Sequence, residues 1–192
     1  MPTQGRALRL TMVSHGATAA TRLASFPADE GLEDRAHAAL PEVRLRLGKP
    51  ERVLASPALA ARQTAAALQL SATIEPSLGD WDYGRWAGLT IAEVGRLEPD
   101  ALAGWRRDPD VCPHGGETLN QLLARVGQWL DRQTTATGDV LAITHASVIR
   151  GALVAALGAG APAFWHVDAG PFTVLSLNHA GGRWLLRSIS PA

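Results

Sequence analysis

A chain of 192 residues, 46% hydrophobic and 19% charged, is sized for one globular domain over 1–192 with a substantial core. Its 18 Lys and Arg balance its 18 Asp and Glu, so no excess charge draws it to nucleic acid or to an anionic membrane surface. One cysteine, Cys112, excludes an internal disulfide and a cysteine metal cluster, and no apolar run approaches the ~18 residues of a spanning helix. The opening MPTQGR lacks the apolar stretch of a signal peptide, which points to the cytoplasm.

Residues 8–14, LRLTMVS, read as a buried strand that stops at Ser14-His15-Gly16. Gly16 lets the backbone turn closely around whatever sits at that strand end. A polar, small-residue stretch with Pro27 and Gly31 follows and reads as a loop over the strand edge. Apolar residues at helical spacing predict a helix over 32–47, broken near Pro41. A short strand over 51–56 leads to Ser56-Pro57, a helix start, and an alanine-rich helix over 58–70. A third short strand spans 72–75, and 76–90, with its three bulky aromatics, reads as an ordered loop.

Residues 91–107 read as helical with a break at Pro99, and 108–116 as a second loop. Residues 117–132 are clearly amphipathic, with Leu119, Leu122, Leu123, Val126, Trp129 and Leu130 on one face. DVLAIT at 139–144 is apolar throughout, as a strand buried on both faces should be. It ends at His145, and a helix follows to 157. Strands at 172–177 and 184–189 flank Gly181-Gly182 and predict a hairpin. Strands alternating with helices predict a mostly parallel sheet covered on both faces, to which the hairpin adds one antiparallel strand.

His15 and His145 share a context, each after an apolar strand and before a small residue. Strand ends in open α/β sheets face ligand crevices. If the two strands are neighbours, the imidazoles face one pocket. Such a pair suits phosphoryl transfer, one neutral imidazole attacking phosphorus and the other stabilising its oxygens as a cation. Metal binding is the competing use, without a third ligand at metal-like spacing. Surface or structural histidines are the plain alternative.

Five segments carry a resemblance to the histidine phosphatase superfamily, the phosphoglycerate mutase-like proteins. LTMVSHGAT resembles the family's strand and Arg-His-Gly motif, and ASPALAARQTAAAL its Ser-Pro-Leu-x-Arg-Ala-x-Gln-Thr-Ala helix. LGDWDYGRWAGLT resembles its acidic loop, HGGETLNQLLARV its Pro-Gly-Gly-Glu-Ser segment and following Arg-Val pair, and LAITHASVIRGAL its second histidine segment. All five occur in the family's order. The resemblance implies an α/β fold, a three-layer αβα sandwich with a mostly parallel central sheet and one antiparallel edge strand. It implies a phosphomonoester hydrolase working through a phosphohistidine on a small phosphorylated metabolite, with no metal or organic cofactor. A homodimer is left open. His15 is then the nucleophile, His145 the second pocket histidine, and Asp80 the general acid that later activates water. The loop with Trp105, Arg106 and Arg107 is implied to cover the pocket. The spacing of GWRRDPDVCPHGGETL is similar to the phosphatase branches, α-ribazole phosphatases included, more than to the glycolytic mutases.

Two departures bear on function. Ser14 stands where the family has the arginine before its histidine, and Ala60 where it has the arginine of the Ser-Pro helix. Those guanidiniums grip phosphate bidentately. At roughly 1.5–3 kcal/mol per charge-assisted hydrogen bond, losing both costs on the order of 10² to 10⁴ in rate or affinity. The remaining donors are Thr18, Thr21, Ser56, the backbone at Gly16 and the amides from Ala146 onward. Arg62 points about 200° away from position 60 on a helix, which leaves Arg22 and Arg85 as the arginines expected to reach in. Ser14 is either a neutral pocket hydroxyl or a bystander. Trp81, Trp86 and Trp105 are candidate pocket walls, Trp129 core, and His166 a weak site candidate. His37, His114 and His179 are expected at the surface and Cys112 inert. Three readings follow: a phosphatase with an atypical pocket, a weak or inactive relative with a binding or regulatory role, or a repurposed acid–base enzyme on a substrate without phosphate.

Overall fold

The computed structural model describes residues 7–191, so the MPTQGR segment behind the cytoplasmic expectation lies outside the described residues. The first strand, β1 (Leu8–Ser14), alternates its side chains between two cores. Leu8, Leu10 and Met12 enter one core and Val13 the other. The strand β4 (Gly138–Thr144) does the same, Val140 and Ala142 on one side, Leu141 and Ile143 on the other. Burial on both faces is why DVLAIT is apolar without alternation.

Six strands form one sheet in the order β3-β2-β4-β1-β5-β6, with β2 at Arg52–Ala55, β3 at Thr73–Ile74, β5 at Val174–Ala180 and β6 at Arg183–Ser190. The pairs β1–β4, β2–β4 and β2–β3 are parallel, and β5 is antiparallel to both β1 and β6. The single strand that runs against the rest is therefore β5, one place in from the edge strand β6. Gly181 and Gly182 turn the hairpin with φ of 59° and 75°, a pair of left-handed conformations that glycine adopts without strain.

Helices cover both faces. On one side lie α2 (Leu40–Leu47) and α3 (Leu59–Ala67), through Val43, Leu47, Ala61 and Ala65. On the other lie α4 (Ile91–Leu97), α5 (Pro99–Arg107), α6 (Leu119–Gln133) and α7 (Ala146–Leu157). The apolar stripe of α6 buries Leu119, Leu122, Val126, Trp129 and Leu130 as its spacing predicts. The break at Pro99 separates α4 from α5 as expected. The break in 32–47 falls ahead of Pro41: a 3-10 helix at Asp34–Ala39 precedes α2, and Pro41 sits in the first turn of α2, where its missing N–H costs nothing. The stretch after His15 is not all loop. Thr18 and Thr21 close a reciprocal capping box around a one-turn helix, α1 (Ala19–Leu23), that alternating small residues did not announce.

Candidate active site

Parallel register sets the site. Ser14 pairs with Thr144, so β1 and β4 end level, and the His15 amide donates to the Thr144 carbonyl at 2.8 Å. The two histidines leave adjacent strand ends together, with ring centroids 5.0 Å apart and planes at 73°. Asp80 joins them from the loop after β3, its Oδ2 3.3 Å from His145 Nδ1, a distance of attraction without hydrogen-bond alignment. His15 Nδ1 faces the Gly16 carbonyl at 2.8 Å, so it carries the proton and leaves Nε2 with its lone pair. His145, 4% exposed, has Nε2 2.8 Å from Ser56 Oγ.

Burial, and then the charge of His145, push the His15 imidazole below its ordinary pKa, against the weaker upward pulls of the Gly16 carbonyl, Asp80 and Glu30. For Asp80 burial opposes ionisation, but His145, the Ser147 hydrogen bond and His15 outweigh it and hold the carboxyl well below the usual range. The site thus places a neutral imidazole beside a carboxylate.

The Asp80 loop is clamped from α6. Arg125 forks onto the Glu117 carboxylate at 2.9 and 2.8 Å. It also donates to the carbonyls of Ser77 and Gly79 at 2.9 Å and of Asp80 at 3.1 Å. Trp81 Nε1 donates to the Glu117 carbonyl at 2.6 Å, and Ser147 on α7 donates to Asp80 Oδ1. Backbone and carboxylate are both held before any ligand arrives.

Two cavities of about 300 and 490 Å³ share His15, Thr18, Pro27, Asp80, Trp81 and His145 in their walls. Ser56 and Ala60 line the smaller; Ser14, Thr21 and Ala146 line the larger. Ala60 faces the cavity, so the position that the resemblance pairs with an arginine does open on the site. Asp29 and Glu30 lie on that same smaller cavity, and among the described residues no arginine or lysine lines it. Gly16 sits beneath, its amide donating to Thr64 Oγ1 at 3.1 Å, and a Cβ there would come within 2.7 Å of Phe172 Cζ.

Several expectations need correction. Arg22 and Arg85 do not reach in: Arg22 Nε is 2.7 Å from Glu33 Oε1, and Arg85 forks onto Glu98 and the Pro113 carbonyl. An acidic neighbour outside the site holds each. Ser14 borders the larger cavity, but its hydroxyl is fully engaged. It donates to the Gly170 carbonyl at 2.6 Å and accepts from the Thr173 amide at 2.9 Å, tying the end of β1 to the turn before β5. Thr18 and Thr21 hydroxyls are likewise spent, Thr18 on Glu30 Oε1 at 3.0 Å and Thr21 on the Thr18 carbonyl at 2.7 Å. His114 is buried rather than exposed, its Nδ1 accepting from the Gly116 amide at 3.2 Å, and burial pushes its pKa down. His179 is half-buried against Trp184, and Trp86 is core rather than pocket wall. His166 is exposed and outside both cavities.

The sequence reading missed Ser147 and Arg150. They lie three residues apart on α7, hence on one face, and the spacing from His145 was the available signal. The amides at the start of α7 add unpaired donors, since His145 offers no side-chain cap.

A mostly parallel sheet with two histidines at adjacent strand ends and a carboxylate beside them defines the histidine phosphatase class. The family model for the histidine phosphatase superfamily (branch 1) matches residues 10–190, and the chain belongs to that superfamily. Among curated relatives it is 30% identical over 184 residues to the "Bifunctional protein Rv2228c" of Mycobacterium tuberculosis, covering 89% of this chain and 50% of that protein. The chain thus spans about half the length of the first curated relatives it matches. It is also 30% identical to a glucosyl-3-phosphoglycerate phosphatase of Mycolicibacterium vanbaalenii over 80% of this chain and 76% of the relative. Among solved structures, "Mycobacterial hydrolase 1" superposes with a TM-score of 0.86 at 24% identity, covering 97% of this chain and 100% of the other. The α-ribazole phosphatase of Shigella flexneri superposes with a TM-score of 0.82 at 20% identity over 94% and 95%. These last two likenesses speak to the fold.

Proposed function

We propose that this chain, working as one domain in the cytoplasm, hydrolyses a small phosphomonoester through a phosphohistidine on His15. The observation that carries the reading is the face-to-edge approach of His15 and His145, 5.0 Å apart, with Asp80 3.3 Å from His145. Neutral His15 Nε2 attacks phosphorus while the bond to the leaving oxygen breaks. Asp80 with its protein neighbours alone is ionised; in this reading a phosphate dianion beside it raises its proton affinity, and the carboxyl enters the reaction protonated. That proton goes to the leaving alcohol. The resulting carboxylate then takes a proton from water, whose oxygen attacks the phosphohistidine, releasing phosphate and restoring neutral His15. His145 and the first amides of α7 face the phosphoryl oxygens.

The test is turnover of a chromogenic aryl phosphate, with rapid-quench capture of acid-labile labelled protein. Wild type should turn over and label, and His15→Ala should do neither. Equal silence of both against a broad phosphomonoester panel overturns the reading. The carboxylates and missing guanidiniums of the smaller cavity favour a second one, a binding protein with little turnover, which that silence would leave standing.

A further inference from the structure

The larger cavity has a composition that phosphate chemistry does not require. Its wall away from the histidines is aromatic: Phe26, Trp81, Tyr83, Trp105, Phe164 and Trp165. The three tryptophans form one group, Trp81 to Trp105 at 5.0 Å, Trp105 to Trp165 at 5.1 Å and Trp81 to Trp165 at 6.1 Å between centroids. At about 490 Å³ the space falls within the range of small-molecule sites, roughly 300–1,000 Å³. Rings of this kind suit a planar, weakly polar body.

Arg150 stands in the same wall. Its guanidinium lies 5.8 Å from the Phe164 ring centre and makes one hydrogen bond, from Nη2 to the Ala169 carbonyl at 3.1 Å. Nε is buried without a partner, and among the described residues no carboxylate pairs with the group. A half-buried guanidinium with four of five N–H groups uncommitted is costly unless a ligand supplies the anion. Arg106 also lines this cavity, from the last turn of α5, and is exposed to solvent where Arg150 is half-buried, while Arg22, Arg85 and Arg125 are each held by a glutamate. Arg150 sits one turn after Ser147, whose hydroxyl holds Asp80, so the cation and the carboxylate share one face of α7.

We infer that this cavity is an aromatic-anion subsite, taking an alcohol moiety with a planar ring against the aromatic wall and a carboxylate-type anion on Arg150. The substrate class is then a phosphomonoester of a ring-bearing alcohol with a second negative group. The substrate assignment rests on the phosphatase reading; the subsite does not.

The test uses ligands without phosphate. Tryptophan fluorescence follows titration of the whole protein with 2-naphthoate and with its neutral counterpart, 2-naphthalenemethanol. Naphthoate should quench the wild-type protein, and the neutral ring should bind about tenfold more weakly or worse, the worth of one charge-assisted contact. Arg150→Gln should remove that preference. Absence of naphthoate binding, or equal binding of charged and neutral rings by wild type, overturns the subsite, and the second comparison needs no variant to fold. Naphthoate binding without any phosphatase turnover would sink the phosphatase reading alone. Brisk turnover of alkyl phosphates with no naphthoate binding would sink the subsite alone.

Discussion

At the scale of single residues, position and protonation divide the work. His15 is legible in the sequence because a strand that ends in His-Gly advertises itself, but its protonation is set by burial and by His145, which only the fold supplies. A lowered folded-state pKa means that the native protein binds fewer protons than the unfolded chain between that folded value and about 6.5. Stability therefore rises with pH through that window and is lost as pH falls below it. We expect the His15 imidazole to titrate below about 6.5 by NMR, and a midpoint at or above that value would overturn the claim that burial and His145 disfavour its charged form. Ser14 shows the opposite case. As a residue type it reads equally as ligand or bystander. Its two hydrogen bonds to residues 156 and 159 places along the chain cannot be seen from spacing.

At the scale of elements, most boundaries followed from periodicity and proline, and the exceptions have local causes. The helix α1 is one turn held by a capping box, too short for any periodic signal. The buried His114 belongs to a loop that closes against Trp86, ring centres 5.1 Å apart, so polarity misjudged its exposure. The element that matters most for chemistry is α6, because Arg125 holds the backbone carrying Asp80. Arg125→Met leaves Glu117 unpaired and three carbonyls without their donor. It should cost roughly 3 kcal/mol of stability and on the order of 10²-fold in kcat through a displaced acid. KM should change far less, and Arg125→Lys should restore little, since an ammonium cannot make the fork. Equal losses in kcat for Met and for a conservative change on the exposed side of α6 would reduce Arg125 to a stability residue.

At the scale of the whole molecule, a balance of 18 basic and 18 acidic residues leaves no net charge to gather phosphoesters. Affinity for phosphate must come from donors in the pocket, and the smaller cavity has Ala60 where the superfamily resemblance expects a guanidinium. Because Ala60 borders a space of about 300 Å³, an arginine side chain can enter it. Ala60→Arg should raise kcat/KM for phosphomonoesters about 10- to 100-fold, the worth of one charge-assisted contact. An unchanged or lower value in a folded variant would mean that phosphate is held elsewhere. The layered architecture and the meeting of His15 with His145 were readable from five ordered segments. The aromatic cavity and Arg150 were not, because their walls come from loops and helices far apart in the chain. The sheet order carries one more consequence. During synthesis β1 leaves the ribosome before the rest of the sheet, and its neighbours β4 and β5 emerge more than a hundred residues later. A nascent chain must keep that apolar ribbon out of wrong pairings until its partners arrive, so assembly of this enzyme-like centre is a late, non-local event that chaperones are placed to guard.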